Sequence, residues 1–440
     1  MPTNMVSVRR ILLNRRFVVL LLVQVLTAMG AMAADSHGYP GSNEHWVATW
    51  STALHQPDLL VPGLANTGFV NQTLRQIVHT SVGGRQVRVR LSTFGASKLL
   101  VGGAHIALSA GGSAVVPSSD RVLTFGGKPS IEIPPDAPVF SDPVDLAVPD
   151  LGDLAITLFL PGVTGPATWH FDSRQTSYVS PAGDFTGSTV MPLDPLAPTV
   201  ASWFWLSAVD VLSAQPSGAI AALGESTTDG AQSTVDANHR WPDWLARRIM
   251  AQQDHPGMGV LNEGLDGNRL LHDAIGPNGL ARFERDVLSQ SGLTHIIVYF
   301  GINDIGTGWP SGIYPDQEVT VDQIIGAYRQ LIQRTHARGI KIYGATITPF
   351  KGFFVPGTPF PLWSPGNEAK RQNVNRWISS SGEFDGVIDF DRALRDPDAP
   401  SQLLAQYDSG DHAHPNDEGY KAIARAVDLR MFVSSNGRCY

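Results

Sequence analysis

Cysteine is nearly absent from this 440-residue sequence, whose only thiol is Cys439, one residue from the C-terminus. A single cysteine forms no internal disulfide, so the fold has to rest on an adequate hydrophobic core. The same scarcity excludes thiolate metal sites and cysteine nucleophiles. The length itself predicts two or three domains rather than one.

Charged residues are scarce as well. They make up 16% of the sequence, with 32 Lys and Arg against 40 Asp and Glu, and no run of basic residues occurs. An acidic chain without a basic patch is a poor candidate for nucleic-acid binding, so we expect no nucleic-acid partner. Gly (44) and Pro (31) are abundant instead. Low charge with many Gly and Pro favours a turn-rich β portion over helical bundles or disorder.

Only one long hydrophobic run is present, "FVVLLLVQVLTAMGAMA" at residues 17–33. Four arginines precede it and small residues end it, a pattern typical of a cleavable signal peptide over residues 1–33. The alternative is a permanent membrane anchor, but the run is short for a span and contains Gln24. We therefore expect no stable membrane span after cleavage and a secreted or periplasmic protein, exported by the Sec or twin-arginine route. Removing four arginines and no acids moves the formal charge from −8 to −12.

The remaining chain has two parts with different periodicity. Residues 40–212 show short alternating runs such as "RQVRVRLS", separated by Gly, Pro, Asp and Ser, which predicts an all-β sandwich of jelly-roll type. Residues 217–435 alternate short apolar runs, such as "AIAAL" and "THIIVYFG", with longer amphipathic segments. Buried strands separated by helices indicate a parallel sheet covered on both faces.

Polar clusters follow the apolar runs of the second part. "GESTTDG" contains Ser226, "NEGLDGNR" contains Gly267, "FGINDIG" contains Asn303, and "GDHAHPNDEGY" contains Asp411 and His414. Each has an ordinary structural interpretation, such as a helix cap for the serine or a turn for the glycine. Because ligands bind beyond the carboxyl ends of strands in open α/β sheets, all four clusters are expected to meet at one edge.

These clusters resemble the four sequence blocks of the SGNH hydrolases, also called GDSL esterases and lipases. The blocks correspond to residues 224–226, 262–267, 301–304 and 411–414, within a match that covers roughly residues 217–432. The resemblance implies a flavodoxin-like, three-layer α/β/α domain, here in a two-domain exported form. One departure is Glu225, which stands where the family usually has Asp. "GESTT" also lacks the second glycine of G-x-S-x-G, which argues against an α/β-hydrolase elbow.

A serine hydroxyl needs a neighbouring base to act as a nucleophile. The hypothesis is that His414 takes the proton of Ser226, while Asp411 fixes the imidazole tautomer and stabilises its charged form. The resemblance implies an oxyanion hole made of the N–H groups of Ser226 and Gly267 and the side-chain amide of Asn303. This chemistry requires no cofactor and no metal, and the sequence identifies no substrate-binding residues.

Other polar residues near the blocks have competing interpretations. His412 forms an H-x-H pair with His414, a spacing also found in metal-dependent hydrolases, although a place on the rim of the pocket is favoured. Asp229 and Asp304 are expected to bond turn amides. Arg269 is interpreted either as a substrate contact or as one member of a surface ion pair.

A segment rich in Pro and aromatic residues separates the third block from the fourth. It runs "TPFKGFFVPGTPFPLWSPGNEAKRQ" over residues 348–372. Long loops in compact domains are often functional, which favours a lid beside the active site. The alternative is a loop packed on the β domain. Its aromatic residues are Phe350, Phe353, Phe354, Phe360 and Trp363.

Together these features predict an exported serine esterase that hydrolyses carboxylic esters. The leading hypothesis is a carbohydrate esterase or deacetylase acting on an acylated polysaccharide. A lipase or arylesterase acting on lipid or small esters is the close alternative. Two others are a non-catalytic glycan-binding protein, which only the Glu225 departure favours, and an acyltransferase that passes the acyl group to a sugar hydroxyl.

Overall fold

A computed structural model describes residues 44–57, 63–213, 218–252, 257–308, 313–355 and 357–432. The expected signal peptide (1–33) and Cys439 lie outside the described residues. The described residues all belong to one compact unit. Within the described ranges, every helix is too short or too polar to cross a bilayer.

The regular elements in the described part of residues 44–213, here called the β-rich region, are sixteen strands, one short α-helix, α1 (Leu64–Thr67), and a 3₁₀ turn at Pro117–Ser119. Its first eight strands are β1 (His45–Ser51), β2 (Val70–His79), β3 (Gly84–Ser92), β4 (Leu99–Val101), β5 (Gly103–Gly111), β6 (Ala114–Val115), β7 (Arg121–Val122) and β8 (Ile131–Ile133). The next eight are β9 (Pro138–Phe140), β10 (Val144–Val148), β11 (Asp153–Val163), β12 (Trp169–His170), β13 (Ser177–Ala182), β14 (Thr199–Val200), β15 (Trp203–Phe204) and β16 (Leu206–Ser213).

These strands form two main antiparallel sheets rather than a clear jelly roll. One has the order β1-β16-β3-β10 with β9 beside β3, and the other has the order β14-β13-β2-β11-β5-β6 with β7 beside β5. β3 alternates as expected, burying Val87, Val89 and Leu91. The expected β-rich region is confirmed, but its sheets form no clear jelly roll: eight of the sixteen strands are only two or three residues long, whereas a jelly roll is built from eight strands in two Greek keys. β4 pairs with β8 and β12 pairs with β15 in two separate ribbons, and Trp169 of β12 also bridges His55.

The described part of residues 218–432, here called the α/β region, contains the expected parallel sheet. Its strands are β17 (Ala219–Gly224), β18 (Gly259–Gly264), β19 (Leu293–Tyr299), β20 (Lys341–Ala345) and β21 (Gly386–Ile388), in the order β18-β17-β19-β20-β21. Counted within this region the order is 2-1-3-4-5, which is that of flavodoxin-like doubly wound sheets. Every strand pair in it is parallel.

Helices connect and cover these strands. They are α2 (Ser226–Asp229), α3 (Trp241–Met250), α4 (Gly279–Phe283) with a π-turn at Glu284–Leu288, α5 (Ile302–Thr307), α6 (Val321–His336), α7 (Pro365–Ser380), α8 (Phe390–Leu394) and α9 (Asp417–Ala426). α9 packs against α3 and α8, whereas α6 packs against α4 and α7. Right-handed crossovers place these two groups on opposite faces of the sheet, giving three layers.

Sequence signals fix the main elements of this region. β17 is buried at every residue, as expected for a strand covered on both faces. α6 begins with a capping box, in which Thr320 Oγ1 accepts from Gln323 N–H and Gln323 accepts from Thr320 N–H. Its expected apolar face is buried at Ile324, Tyr328 and Leu331. The helices therefore hold β17 and its neighbours in a rigid frame.

The two regions meet along β1. Ala48 N–H donates to Ser291 O over 3.0 Å, and Val260 N–H donates to Ser81 Oγ over 2.9 Å. A Cβ at Gly259 would lie 2.1 Å from Ala48 O, so only glycine permits this approach of β18 to β1. One continuous hydrophobic core therefore spans both regions.

Candidate active site

Ser226 lies where β17 passes into α2, at the carboxyl edge of the parallel sheet. Glu225 is extended and Ser226 is the first helical residue, so the serine is not the capping residue itself. A Cβ at Gly224 would lie 2.2 Å from Thr228 Oγ1, so the turn requires glycine here. The Ser226 residue is 8% exposed. The turn thus leaves Ser226 only slightly exposed to solvent.

His414 and Asp411 lie beside this hydroxyl on the loop before α9. His414 Nε2 is 2.7 Å from Ser226 Oγ, and His414 Nδ1 is 2.7 Å from Asp411 Oδ2. Asp411 Oδ1 accepts the N–H groups of Ala413 and His414 at 3.0 and 2.9 Å, which tightens the D-x-x-H turn. A neutral imidazole in this position donates from Nδ1 and accepts at Nε2, the arrangement that a general base requires.

The charges of this pair stabilise each other. Burial lowers the pKa of His414, but hydrogen bonding to Asp411 and the charge of that carboxylate raise it above 6.5 overall. Burial raises the pKa of Asp411, yet bonds from His414 hold it below its usual value. A second acid lies near the imidazole: burial raises the pKa of Asp266 to about 6, against the lowering effect of His414. The imidazolium is therefore favoured by its surroundings.

Gly267 follows β18 at the same edge of the sheet. Its φ is +67°, a conformation that favours glycine, and a Cβ there would lie 2.8 Å from Ile275 Cδ1, the end of a side chain that would have to move. Asn303, the second residue of α5, uses its Nδ2 to contact Glu225 Oε2 and Asn268 O, each at 3.0 Å. The structure thus orients the Asn303 amide through neighbouring blocks.

Glu225, the departure from the family sequence, is fully buried beneath the serine. Its carboxylate accepts the N–H groups of Ile302 and Asn303, at 3.1 and 3.3 Å, at the start of α5. Burial, reinforced by the charge of Asp304, raises the pKa of Glu225 to about 8, although those N–H donors oppose the shift. The longer side chain joins the first and third blocks and leaves Ser226 against His414.

Asp229 and Asp304 bond turn amides, as expected. Asp304 accepts from Leu270 N–H and Leu271 N–H at 2.7 and 3.0 Å. Asp229 Oδ2 accepts from Asp266 N–H at 2.9 Å, while Oδ1 contacts His170, a residue of the β-rich region, at 3.0 Å. The contact with His170 was not expected from the sequence, since nothing in "TWHFDS" connects it with a residue 59 positions later.

Arg269 is not part of a surface ion pair. It is 1% exposed, lies 4.3 Å from the centroid of the Tyr314 ring, and donates to Asp273 O and Gln317 Oε1. These contacts pack the guanidinium inside the protein and hold the loop that follows Gly267. The surface interpretation is therefore wrong, because the sequence gives no sign of the tyrosine and glutamine that cover this charge.

His412 is half exposed on the loop that carries His414. Its Nδ1 lies 2.6 Å from Asp408 Oδ2, and its φ is +72°. Within the described ranges, no three or more His, Cys, Asp or Glu residues are grouped to hold a metal ion. His412 also borders a depression of about 350 Å³, here called the polar groove, lined by Lys351, Gly352, Asp396, Gln402, Leu403, Ala405, Asp408 and His412.

The aromatic segment at 348–372 contacts the imidazole of His414 through Phe353. The Phe353 ring packs edge-on against the His414 ring, with centroids 5.5 Å apart, while Phe350 is buried and Phe354 is 53% exposed. The loop part of this segment is shorter than the sequence suggests, because α7 begins within it at Pro365, where Ser364 caps the helix by accepting from Asn367 N–H. It forms a wall beside the imidazole.

Residues 222–422, just under half of the chain, match the GDSL-like lipase/acylhydrolase family. No curated protein matches the sequence. Similar solved structures include an acetyl xylan esterase from Geobacillus stearothermophilus (20% identity, 49% of this chain and 94% of that one, TM-score 0.37). Others are an aryl esterase from M. smegmatis (16%, 48% and 95%, 0.37) and a GDSL-like lipase from Bacteroides thetaiotaomicron (18%, 48% and 87%, 0.35).

The family match includes Ser226, Gly267, Asn303, Asp411 and His414. Residues 222–422 are therefore a GDSL-like lipase/acylhydrolase domain, and the protein is a hydrolase that acts on ester bonds.

Proposed function

We propose that the protein is an exported serine esterase whose catalytic residues are Ser226, His414 and Asp411. The observation that carries this proposal is the continuous chain of two 2.7 Å contacts from Ser226 Oγ through the imidazole to Asp411 Oδ2. His414 Nε2 takes the hydroxyl proton as Oγ bonds to the acyl carbon, and then returns it to the departing alcohol. Water activated by the same imidazole releases the acid.

The negative charge that develops on the carbonyl oxygen needs donors aimed at it. Ser226 N–H stands at the first position of α2, where helix geometry provides no intrahelical acceptor. Gly267 permits close approach of the backbone. Asn303 is the third donor: its two Nδ2 hydrogens bond Glu225 and Asn268 in the free protein, and one of these bonds has to be exchanged for a bond to the oxyanion when the ester binds. These three groups are our proposed oxyanion hole.

We further propose that the alcohol portion of the ester is a sugar hydroxyl of an acylated polysaccharide. The polar groove, which is partly lined by the loop that carries His414, supports this, because its lysine, glutamine, carboxylate and imidazole groups offer hydrogen bonds that a sugar uses and a lipid does not. The exposed Phe354 favours the alternative, a lipid or aryl ester.

For residues 1–33 we propose that they are a signal peptide, which directs export and is then cleaved. N-terminal sequencing of the mature protein tests this proposal.

The decisive variant is Ser226→Ala, which removes the nucleophile while leaving α2 intact. We expect hydrolysis of p-nitrophenyl acetate to fall by about 10⁴-fold or more, with the thermal midpoint close to that of the wild type. Conversely, a folded Ser226→Ala protein that keeps most of its activity rejects the assignment. A chelator control should leave the wild-type rate unchanged.

A substrate panel separates the sugar ester from the alternative. Acetylated xylo-oligosaccharides should give a higher kcat/KM than p-nitrophenyl butyrate or long-chain esters. Gln402→Ala should raise KM for the acetylated sugar and leave that for p-nitrophenyl acetate unchanged, because only the sugar is large enough to reach the polar groove. Preference for long-chain esters would instead assign the protein to the lipid alternative.

A further inference from the structure

Within the described β-rich region, His170 is the one histidine that hydrogen-bonds to the turn that carries Ser226. It ends β12, and the residue is 1% exposed. Its Nδ1 lies 2.8 Å from Ala53 O and its Nε2 lies 3.0 Å from Asp229 Oδ1. Asp229 is only three residues after Ser226 and is itself buried.

The two partners of His170 determine its protonation. A backbone carbonyl only accepts hydrogen bonds, and so does an ionised carboxylate. Both ring nitrogens therefore have to donate, which describes the imidazolium form paired with the Asp229 carboxylate. Such a pair is tolerated inside a protein only when both charges are well partnered.

The surrounding charges agree with a protonated ring. Burial lowers the pKa of His170, but the charge and hydrogen bond of Asp229 outweigh it and raise the pKa above 6.5. Arg240, in the α/β region, opposes protonation. His55, on the loop after β1, has a pKa lowered to about 3 by burial, so it is neutral beside the ring. Asp172, on the loop after β12, adds a further carboxyl group.

Asp229 connects His170 to the loop at residues 264–267, which carries Gly267. Its Oδ2 accepts from Asp266 N–H at 2.9 Å, and the next peptide carries the Gly267 N–H. The two loops also touch directly, since a Cβ at Gly264 would lie 2.1 Å from Asp229 N. Asn262 Nδ2 donates to Thr228 O at 2.8 Å. A displacement of Asp229 therefore moves the 264–267 loop relative to Ser226.

We propose that His170 is a positioning residue of the ester hydrolysis: as a buried imidazolium supplied by the β-rich region, it fixes Asp229 and thereby aligns Gly267 N–H with Ser226. This rests on the proposed function and makes the β-rich region an integral part of the active site rather than an accessory module.

Contacts with the α/β region fix the loop that follows His170. Asp172 and Arg174 adopt positive φ values of 48° and 51° without being glycine, a strain that persists only where surrounding contacts impose it. Those contacts come from the α/β region: Arg240 donates to Ser173 O, and Gln175 Nε2 donates to Asp236 Oδ1 at 2.8 Å.

The test uses His170→Gln and His170→Ala in the full chain, with p-nitrophenyl acetate as substrate. We expect kcat to fall about ten- to a hundredfold, as misplacement of a catalytic group by about 1 Å does, with KM nearly unchanged. We also expect the wild type to lose kcat/KM at alkaline pH as His170 deprotonates. That alkaline limb should be missing in His170→Gln, whose amide does not titrate.

His105→Gln is the matched control, because His105 Nδ1 pairs with Asp120 at 3.0 Å within the β-rich region. It should keep the wild-type kcat and the alkaline limb. Nitrogen-15 NMR of the wild type at pH 7 supplies a test that depends on no variant, and both His170 nitrogens should be protonated. A neutral His170 ring, or a folded His170→Gln protein with kcat within twofold of the wild type, overturns the inference.

Failure of this inference is distinguishable from failure of the proposed function. If Ser226→Ala is inactive while His170→Gln retains full kcat, only the positioning role is lost. If the wild type hydrolyses no ester, or Ser226→Ala remains active, the proposed function falls and the inference falls with it.

Discussion

His414 and His170 each share a hydrogen bond with a carboxylate, yet their second ring nitrogens face opposite kinds of partner. His414 Nε2 faces the hydroxyl of Ser226, which can donate a proton, whereas His170 Nδ1 faces the carbonyl of Ala53, which cannot. The first ring can therefore be neutral and act as a base. The second is held as a donor at both nitrogens and carries a fixed charge.

The two pairs also differ in where they lie in the fold. His414 and Asp411 are three residues apart on one turn of the α/β region, so local geometry brings them together. His170 and Asp229 come from different regions of the chain, which pack together along β1 and β18. A histidine–carboxylate contact therefore does not by itself define a role, and the group at the second ring nitrogen decides it.

Exchanging each acid for its amide should give the largest difference in activity between the two histidine–carboxylate pairs. We expect Asp411→Asn to lower kcat by about 10⁴-fold, because the amide favours the wrong imidazole tautomer and no longer stabilises the imidazolium. Asp229→Asn should cost only about ten- to a hundredfold, since Asp229 acts through the loop and not on the reacting atoms. Steady-state kinetics with p-nitrophenyl acetate measure both.

Circular dichroism and thermal midpoints control for unfolding in these two variants. Equal losses of kcat in two well-folded proteins would contradict the distinction between a catalytic pair and a positioning pair.

Gly267→Ala examines the loop that lies between the two pairs. The added Cβ meets Ile275 Cδ1 at 2.8 Å, and alanine is strained at φ +67°, so the loop has to shift. Losing one oxyanion donor typically costs two to three orders of magnitude in rate, so we expect kcat to fall about 10²-fold. KM should change much less.

Gly339→Ala is the matched control, since its φ is +70° and a Cβ there meets nothing within 4 Å. It should cost about 1–2 kcal/mol of stability through the left-handed conformation alone, without altering kcat. A similar small effect at Gly267 would show that this glycine serves the turn and not the reaction.

The α/β region could be predicted from the sequence because its signals are local and follow one rule. Continuous apolar runs mark strands buried on both faces, and polar blocks after them have to meet at one edge. That rule brought Ser226 and His414 together across 188 positions of sequence. It needed no knowledge of the connecting helices.

The β-rich region and its contacts could not be predicted in the same way. Short antiparallel strands leave the pairing order open, so the jelly-roll expectation failed and the partner of His170 stayed hidden. Arg269 shows the same limit inside the α/β region. A charged residue is usually exposed, and only the tertiary structure supplies the Tyr314 ring and the acceptors that bury this one.

The acid limb of kcat/KM gives the finest distinction between the two histidines. His414 has to be neutral to accept the proton, so activity should rise with pH and level off above its raised pKa, falling about tenfold per unit below it. His170→Gln should leave this acid limb in place.

Asp266→Asn should move the acid limb slightly to lower pH, because the Asp266 carboxylate contributes to the raised pKa of His414. The expected gain is a few-fold in kcat/KM near pH 5.5, with no change at the plateau. An acid limb that shifts in His170→Gln and stays fixed in Asp266→Asn would mean that His170, and not His414, titrates there, and the roles of the two pairs would have to be exchanged.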